Sequence, residues 1–337
     1  MVILGIESSC DETAAAICKN GNILSNIIRS QEIHGQHGGV VPEIASREHD
    51  SQINYIVHRA LEEGESTFND IHSIAVTYGP GLLGSLLVGL NYAKGLSVGL
   101  KVPFIGVNHL EGHLYASFIS YPNLQYPYIS LLVTGGHTQI WEVRNAGDYA
   151  LHATTVDDAA GEAFDKGARI LGLGYPGGPE IEKAAEKGDS SSYPFKIPNI
   201  KNHPLNFSFS GLKTAIFYKI REMSEDEREK NLSNIAASYQ EAIIDSLLDR
   251  LIKVIHQTNI STVSITGGVA ANKRFREKAG ILSRSYNVKI YFPPLEYCTD
   301  NAAMIAIAGY QWLKSGYHSS LNLEAKPNLA LDDVITA

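Results

Sequence analysis

Ile3-Leu4-Gly5-Ile6-Glu7-Ser8-Ser9, followed by Asp11-Glu12-Thr13 and a second apolar run, has a counterpart in Leu131-Leu132-Val133-Thr134-Gly135-Gly136-His137-Thr138. Each copy reads as strand, small polar turn, strand, which predicts a weak internal repeat. Strand-like runs at 2–6, 13–18, 72–77 and 102–107 alternate with helical patterns as far as residue 120, and the cycle restarts at 128–133. That alternation predicts an α/β fold in two lobes. Ile53, Ile56, Val57, Ala60 and Leu61 recur at helical spacing between 42 and 64, and 235–255 repeats the pattern over a longer stretch. The Ser-, Pro- and Asn-rich segment 190–204 reads as an extended surface loop, and the charged run 224–230 as a solvated turn.

At 337 residues, 44% hydrophobic and 19% charged, the chain has the balance of a globular protein long enough for two domains. It opens directly on a strand-like run, so no signal peptide is expected, and no apolar run reaches the ~18 residues of a membrane span. The expectation is a cytoplasmic protein with no membrane association. Cys10, Cys18 and Cys298 are odd in number and form no C-x-x-C pair, so neither a disulfide framework nor a structural zinc knuckle is implied. A net charge of −8 excludes a protein that holds nucleic acid by global electrostatics alone.

His109-Leu110-Glu111-Gly112-His113 follows the apolar run 102–107 and places two imidazoles four residues apart. On a helix they share a face and can grip one metal ion, or serve as core histidines satisfied by hydrogen bonds. The spelling resembles His-Glu-x-x-His of zinc proteases, yet Glu111 sits two residues after His109, about 200° around a helix, and so points away from a metal. With Asn108 as N-cap, Glu111 reads as the closing member of a capping box. A third ligand must come from elsewhere. Asp300, ahead of an Ala-rich helix, either N-caps that helix or completes a His₂-carboxylate set suited to iron(II) or zinc. His34 and His37 form a weaker second cluster in a glycine-rich loop, and His49 reads as a helix-surface or interface residue.

Gly135-Gly136-His137-Thr138 and Thr266-Gly267-Gly268-Val269-Ala270-Ala271-Asn272 each follow a β-branched strand, where glycines let backbone N–H groups approach an anion. The pair points to a nucleotide cleft. Asp158, Glu162 and Asp165 line one face of a helix, either as a solvated acidic face or with a carboxylate that accepts from a ribose diol. Asp165 is the best placed, with Gly177-Gly178-Pro179 nearby as a flat surface for a base. Lys273, Arg274, Arg276 and Lys278 read as a solvated face or a small phosphate-contacting patch.

Together with Ile6 to Thr13, Gly39-Val40-Val41-Pro42-Glu43, Tyr78-Gly79-Pro80-Gly81, Asp157 to Lys166 and Phe207 to Thr214, these motifs resemble, over roughly residues 1 to 315, the TsaD family. These are bacterial tRNA adenosine threonylcarbamoyltransferases, formerly called O-sialoglycoprotein endopeptidases. The resemblance implies two related lobes of the actin, Hsp70 and sugar-kinase (RNase H-like) type with a nucleotide cleft between them. The lobes expected are 1–125 completed by a C-terminal helix at 301–320, and 126–300 with helical insertions, leaving a tail at 321–337. It implies one Fe²⁺ or Zn²⁺ on His109, His113 and Asp300, and substrate contacts from Leu132, Val133, Thr134, Gly135, Gly136, Asp165, Gly178, Glu182 and Asn272. Asp11, Glu12 and His137 stand as catalytic candidates. The implied reaction moves threonylcarbamoyl from threonylcarbamoyl-AMP to N6 of the adenosine 3′ of the anticodon in tRNAs reading ANN codons. The implied partners are tRNA, a TsaB-like paralogue and a TsaE-like ATPase. The rivals are a metalloprotease, a small-molecule kinase or ATPase of the same fold, and a non-catalytic scaffold.

Overall fold

The computed structural model describes residues 1–37, 39–196, 200–201 and 203–332. The chain divides into two compact units: unit 1 comprises Met1–Leu124, Asn145–Tyr149 and the chain from Pro293 on, and unit 2 comprises Gln125–Arg144 and Ala150–Phe292.

In unit 1, β1 (Val2–Glu7), β2 (Glu12–Lys19) and β3 (Asn22–Ser30) form an antiparallel meander. β4 (Ser73–Gly79) and β5 (Phe104–Asn108) extend it in parallel from β1, giving the order β3-β2-β1-β4-β5. β1 and β4 are buried at every position, as central strands covered on both faces must be. The helices are α1 (Pro42–Glu63), α2 (Leu83–Leu100), the one-and-a-half-turn α3 (His109–Tyr115) and, far along the chain, α9 (Ala302–Lys314).

In unit 2, β6 (Tyr128–Val133), β7 (Thr138–Asn145), β8 (Asp148–Thr154), β9 (Thr262–Thr266) and β10 (Lys289–Tyr291) make a second sheet of order β10-β9-β6-β7-β8. Strand for strand this is the topology of the first sheet, so the repeat read from residues 3–13 and 131–138 is a repeat of architecture. The helices are α4 (Ala160–Ile170), α5 (Gly177–Ala185), α6 (Ser210–Arg221), the 34-residue α7 (Glu225–Thr258) and α8 (Lys273–Tyr286).

Small residues decide how closely α9 approaches its sheet. A Cβ on Gly5 of β1 would lie 2.5 Å from the Ala302 carbonyl, and one on Gly309 would lie 2.4 Å from the Ala75 Cβ on β4. Ala302 through Gly309 are all buried. The helix therefore seats against the sheet, and the residue just before its cap is delivered to the carboxyl ends of β1 and β5, where sites form in parallel sheets.

Several local expectations give way to tertiary context. Residues 224–230 are not a turn: Ser224 caps α7 by accepting from the Glu227 amide, and the Glu227 carboxylate accepts back from the Ser224 amide. His49 is fully buried rather than on the surface, its Nδ1 2.7 Å from Thr13 Oγ1 and its Nε2 2.9 Å from the Cys10 carbonyl. His34 is buried against Gln31, while the His37 side chain and Gly38 lie outside the described residues. Of the expected tail, residues 321–332 pack on unit 1 through Leu329 and Leu331, and 333–337 lie outside the described residues. No helix among the described residues is long and apolar enough to cross a membrane.

Candidate functional site

α3 starts directly off β5 because Asn108 accepts from the Leu110 amide at 2.8 Å, an N-cap that fixes the helix phase. With that phase, His109 and His113 lie on one face with ring centroids 4.9 Å apart. Gly112 lets the helix close onto α9, since a Cβ there would meet Ile305 Cδ1 at 2.8 Å. Asp300 arrives from the other side. Its Oδ1 is 3.1 Å from His113 Nε2 and 3.5 Å from His109 Nε2. Asn301, not Asp300, caps α9 by accepting from the Met304 amide at 2.9 Å, so the Asp300 carboxylate is left for the histidines.

One donor atom from each of the three residues lies within 4.8 Å of the others, the one such group of three or more metal-ligating side chains found among the described residues. Two further observations fit a cation here. His113 Nδ1 is buried with no hydrogen-bond partner, so this ring's polar contacts are all made through Nε2. The surroundings are also anionic. Burial alone would push His109 down, but Asp300 and Glu7 outweigh it and hold the imidazole well above its ordinary value. Burial, then Asp300, Asp11 and Glu7, push Glu12 up to about 9. Burial works against the Asp300 carboxylate too, yet the two imidazoles keep it well below the usual range. A donor set of two imidazoles and one carboxylate suits zinc or iron(II), whereas magnesium prefers all-oxygen ligands.

Glu111 is buried. Its Oε1 accepts from Tyr149 Oη at 2.5 Å and Trp312 Nε1 at 2.9 Å, its Oε2 has no hydrogen-bond partner, and the Asn108 side chain caps α3 through the Leu110 amide. Burial pushes its carboxyl up to about 7 against those hydrogen bonds. A carboxylate fixed in this way cannot take the place of a metalloprotease base.

In unit 2 the second group of candidates forms a connected layer. Gly161, in the first turn of α4, donates its amide to the Thr134 carbonyl, and a Cβ there would lie 2.8 Å from Gly135 Cα. Asp165 Oδ1 accepts from the Gly177 amide at 2.7 Å, tying α4 to the start of α5, and burial raises this carboxyl despite that bond. Nothing lies within 4 Å of where a Gly178 Cβ would be, so there is open space beside this backbone. Glu182 accepts from the Lys273 amide at 3.3 Å. Asn272 is spent on structure: its Oδ1 caps α8 through the Phe275 amide and its Nδ2 donates to Gln240. Leu132 and Val133 are fully buried on β6, so any ligand contact they make runs through backbone. The Thr134 hydroxyl accepts from the amides of Gly136 and His137 at 3.3 and 2.9 Å, so an anion at this turn must replace that hydroxyl.

The acidic row on α4 sorts itself by partner. Lys166 pairs with Asp158 at 2.6 Å and Glu162 at 2.8 Å, leaving Asp165 as the one carboxylate of the three without a lysine. The basic group on α8 is likewise occupied: Arg274 and Lys278 bridge to Glu241, and Arg276 lies over the Phe292 ring. Three of the four basic side chains read from the sequence are thus engaged within the fold.

The segment 207–214 had no chemical reading in the sequence, and its anchor is Asp157. That carboxylate accepts from the Phe209 and Ser210 amides at 2.8 and 3.2 Å and from the Ser208 and Ser210 hydroxyls at 2.5 and 2.8 Å, capping α6 from another segment. Partial burial opposes ionisation, but these bonds hold the carboxyl below its usual range. Asp157→Ala is expected to lower unfolding free energy by about 1 kcal/mol at neutral pH. Because the folded value is depressed, that stabilisation is complete above the unfolded value near 4 and fades as pH falls below it. Urea titrations of both proteins at pH 7 and pH 3 check this; an equal difference at both would contradict it.

A family profile described as "TsaD: tRNA N6-adenosine threonylcarbamoyltransferase" matches residues 22–307. The tRNA N6-adenosine threonylcarbamoyltransferase of Thermosipho africanus is 51% identical over 332 residues, covering 98% of this chain and 100% of the relative. That of Caldicellulosiruptor saccharolyticus is 50% identical, covering 98% of each. Among solved structures, component A of (R)-2-hydroxyglutaryl-CoA dehydratase from Acidaminococcus fermentans is similar at TM-score 0.54 and 18% identity over 94% of this chain and all of that one. HypF from T. kodakarensis is similar at TM-score 0.64 and 15% identity, over 93% of this chain and 48% of that one. These structural likenesses bear on fold alone, and they place the two matching sheets in the actin, Hsp70 and sugar-kinase class. With half its residues identical to such enzymes along their whole length, the chain belongs to the TsaD family, the tRNA N6-adenosine threonylcarbamoyltransferases.

Proposed function

We propose that this chain transfers the threonylcarbamoyl group of threonylcarbamoyl-AMP to N6 of the adenosine 3′ of the anticodon in tRNAs that read ANN codons. The observation that carries this reading is end-to-end identity with transferases of that name, joined to the convergence of His109, His113 and Asp300. In the reaction the N6 amine forms a bond to the carbamoyl carbon, the bond from that carbon to the phosphate oxygen breaks, and AMP leaves. Asp165, the Gly178 surface and the Asn272 turn hold the AMP part, with Glu182 fixing the start of α8 beside them. The Thr134 to Gly136 turn, carried on Leu132 and Val133, contacts the substrate through backbone.

His109, His113 and Asp300 would hold one zinc or iron(II) ion, which when bound supplies Lewis-acid polarisation of substrate oxygens, worth several kcal/mol. The N6 amine is a weak nucleophile and must lose a proton; His137, a carboxylate of Asp11 or Glu12, or the leaving phosphate receives it. The net charge of −8 argues that tRNA binding needs help, for which a TsaB-like paralogue and a TsaE-like ATPase in the cytoplasm are the proposed partners.

The test is a single-turnover reaction of the purified chain and these partners with threonylcarbamoyl-AMP and unmodified tRNA, read by nucleoside mass spectrometry. Threonylcarbamoyladenosine is the expected product. Its absence with folded, metal-loaded chain and competent partners overturns the reading.

A further inference from the structure

We infer that Glu7 is a positioning residue that sets which ring nitrogen of His109 faces the metal group, a role that rests on the metal reading above.

Glu7 closes β1 and is only 1% exposed. Its surroundings are a set of donors. Oε1 accepts from the Ser9 amide at 2.5 Å, Oε2 accepts from the Thr77 hydroxyl at 2.5 Å, and the same Oε2 lies 3.1 Å from His109 Nδ1. An ionised carboxylate only accepts, so the hydrogen between Glu7 and His109 belongs to Nδ1. A metal-bound imidazole is neutral and carries one N–H, so with a metal present the lone pair falls on Nε2, the nitrogen turned to Asp300. Ser9 Oγ, also 3.1 Å from Nδ1, is a second acceptor for the same N–H.

The two imidazoles are thus supported unequally. His113 Nδ1 is buried with no partner, and that ring is held by packing and by Asp300 alone. Metal-bound histidines ordinarily donate the second N–H to an acceptor, and losing that acceptor costs roughly 10–100-fold in metal affinity. Here only His109 has a carboxylate in that place, so the cost concentrates on Glu7.

The arrangement makes an unusual demand on the isosteric variant. The Ser9 amide is a backbone donor and cannot turn, so in Glu7→Gln the amide oxygen must face Ser9 and the NH₂ must face Thr77 and His109. Thr77 can rotate and accept. His109 Nδ1–H then faces a donor in place of the carboxylate and keeps only Ser9 Oγ as an acceptor, which favours the hydrogen on Nε2 and weakens metal binding there. Glu7→Gln is therefore expected to be as damaging as Glu7→Ala, although it fills the same space.

The experiment measures Co²⁺ and Zn²⁺ affinity by chelator competition for the full-length chain, Glu7→Gln and Glu7→Ala, with folding checked by circular dichroism. ¹⁵N-histidine NMR of the zinc-loaded wild type is recorded alongside. The expected results are a 10–100-fold loss of affinity in both variants and, in the wild type, a protonated Nδ1 on His109 with zinc at Nε2. Affinity in Glu7→Gln within twofold of wild type, or zinc at His109 Nδ1, overturns the proposal. The NMR needs no variant, so a misfolded Glu7→Ala does not remove the test. Both readouts are independent of transfer, so a chain that binds metal as described but modifies no tRNA sinks the transferase reading and leaves Glu7's role standing.

Discussion

Asp300→Ala should yield a folded chain that loses zinc or iron on dialysis and transfers threonylcarbamoyl at roughly one-thousandth of the wild-type rate or less. The magnitude follows from the several kcal/mol that Lewis-acid polarisation contributes, each 1.36 kcal/mol being a factor of ten. The fold should survive because Asp300 holds up nothing else: Asn301 caps α9, and the buried residues of α9 from Ala302 to Gly309 seat the helix. Two rings 4.9 Å apart remain, but two imidazoles without the carboxylate make an incomplete set. Metal content by mass spectrometry, thermal unfolding and single-turnover transfer are read on the same sample. Wild-type transfer by a metal-free Asp300→Ala chain would remove the metal from the mechanism.

Gly267→Ala should be a strongly damaging single-methyl change in unit 2. Gly267 sits at φ 93°, ψ 166°, a region essentially closed to residues with a Cβ. A Cβ there would also lie 2.3 Å from the Val133 carbonyl and 2.9 Å from Thr134 Cγ2. The conformation costs of order 1–3 kcal/mol, and the forced shift of β6 against the turn about 1–3 kcal/mol more. Against a typical total of about 5–15 kcal/mol this is a large fraction. The shift falls on the Val133–Thr134 backbone, so AMP affinity should drop together with stability. Urea denaturation and calorimetry with AMP check both, and a wild-type midpoint would show that β9 and β6 yield more easily than their contact distances indicate.

The sequence carried the repeat, the two helical histidines and the two glycine turns because each depends on neighbours in the chain. β3 was missed because its run Asn22–Ser30 mixes Asn, Ser and Arg with apolar residues, and it sits at the sheet edge, where half-exposure blurs the alternation. The charged run 224–230 read as a turn because composition outweighed the Ser224 to Glu227 capping signal, which was there to be found. Asp300 was read as either a cap or a ligand, and only the backbone path of α9 shows that the cap is the next residue, Asn301. The role of Glu7 has no local signature, and the capping-box reading of Glu111 did not reveal the contacts that hold it. A buried carboxylate is defined by its partners, and these lie as far off as Thr77 and His109 for one and Trp312 for the other.

Unit 1 is discontinuous, and this bears on how the protein is made. Residues 7 to 12 and 109 to 113 leave the ribosome well before Asp300 and α9. Domains generally fold in order of synthesis, yet here the first sheet waits with the face that α9 covers still open to water. A nascent chain stalled or cut anywhere before residue 300 would carry two histidines and no third ligand. A metal held by all three side chains therefore cannot bind before residue 300 has been made, and a chain cut short of it is expected to lose metal on dialysis.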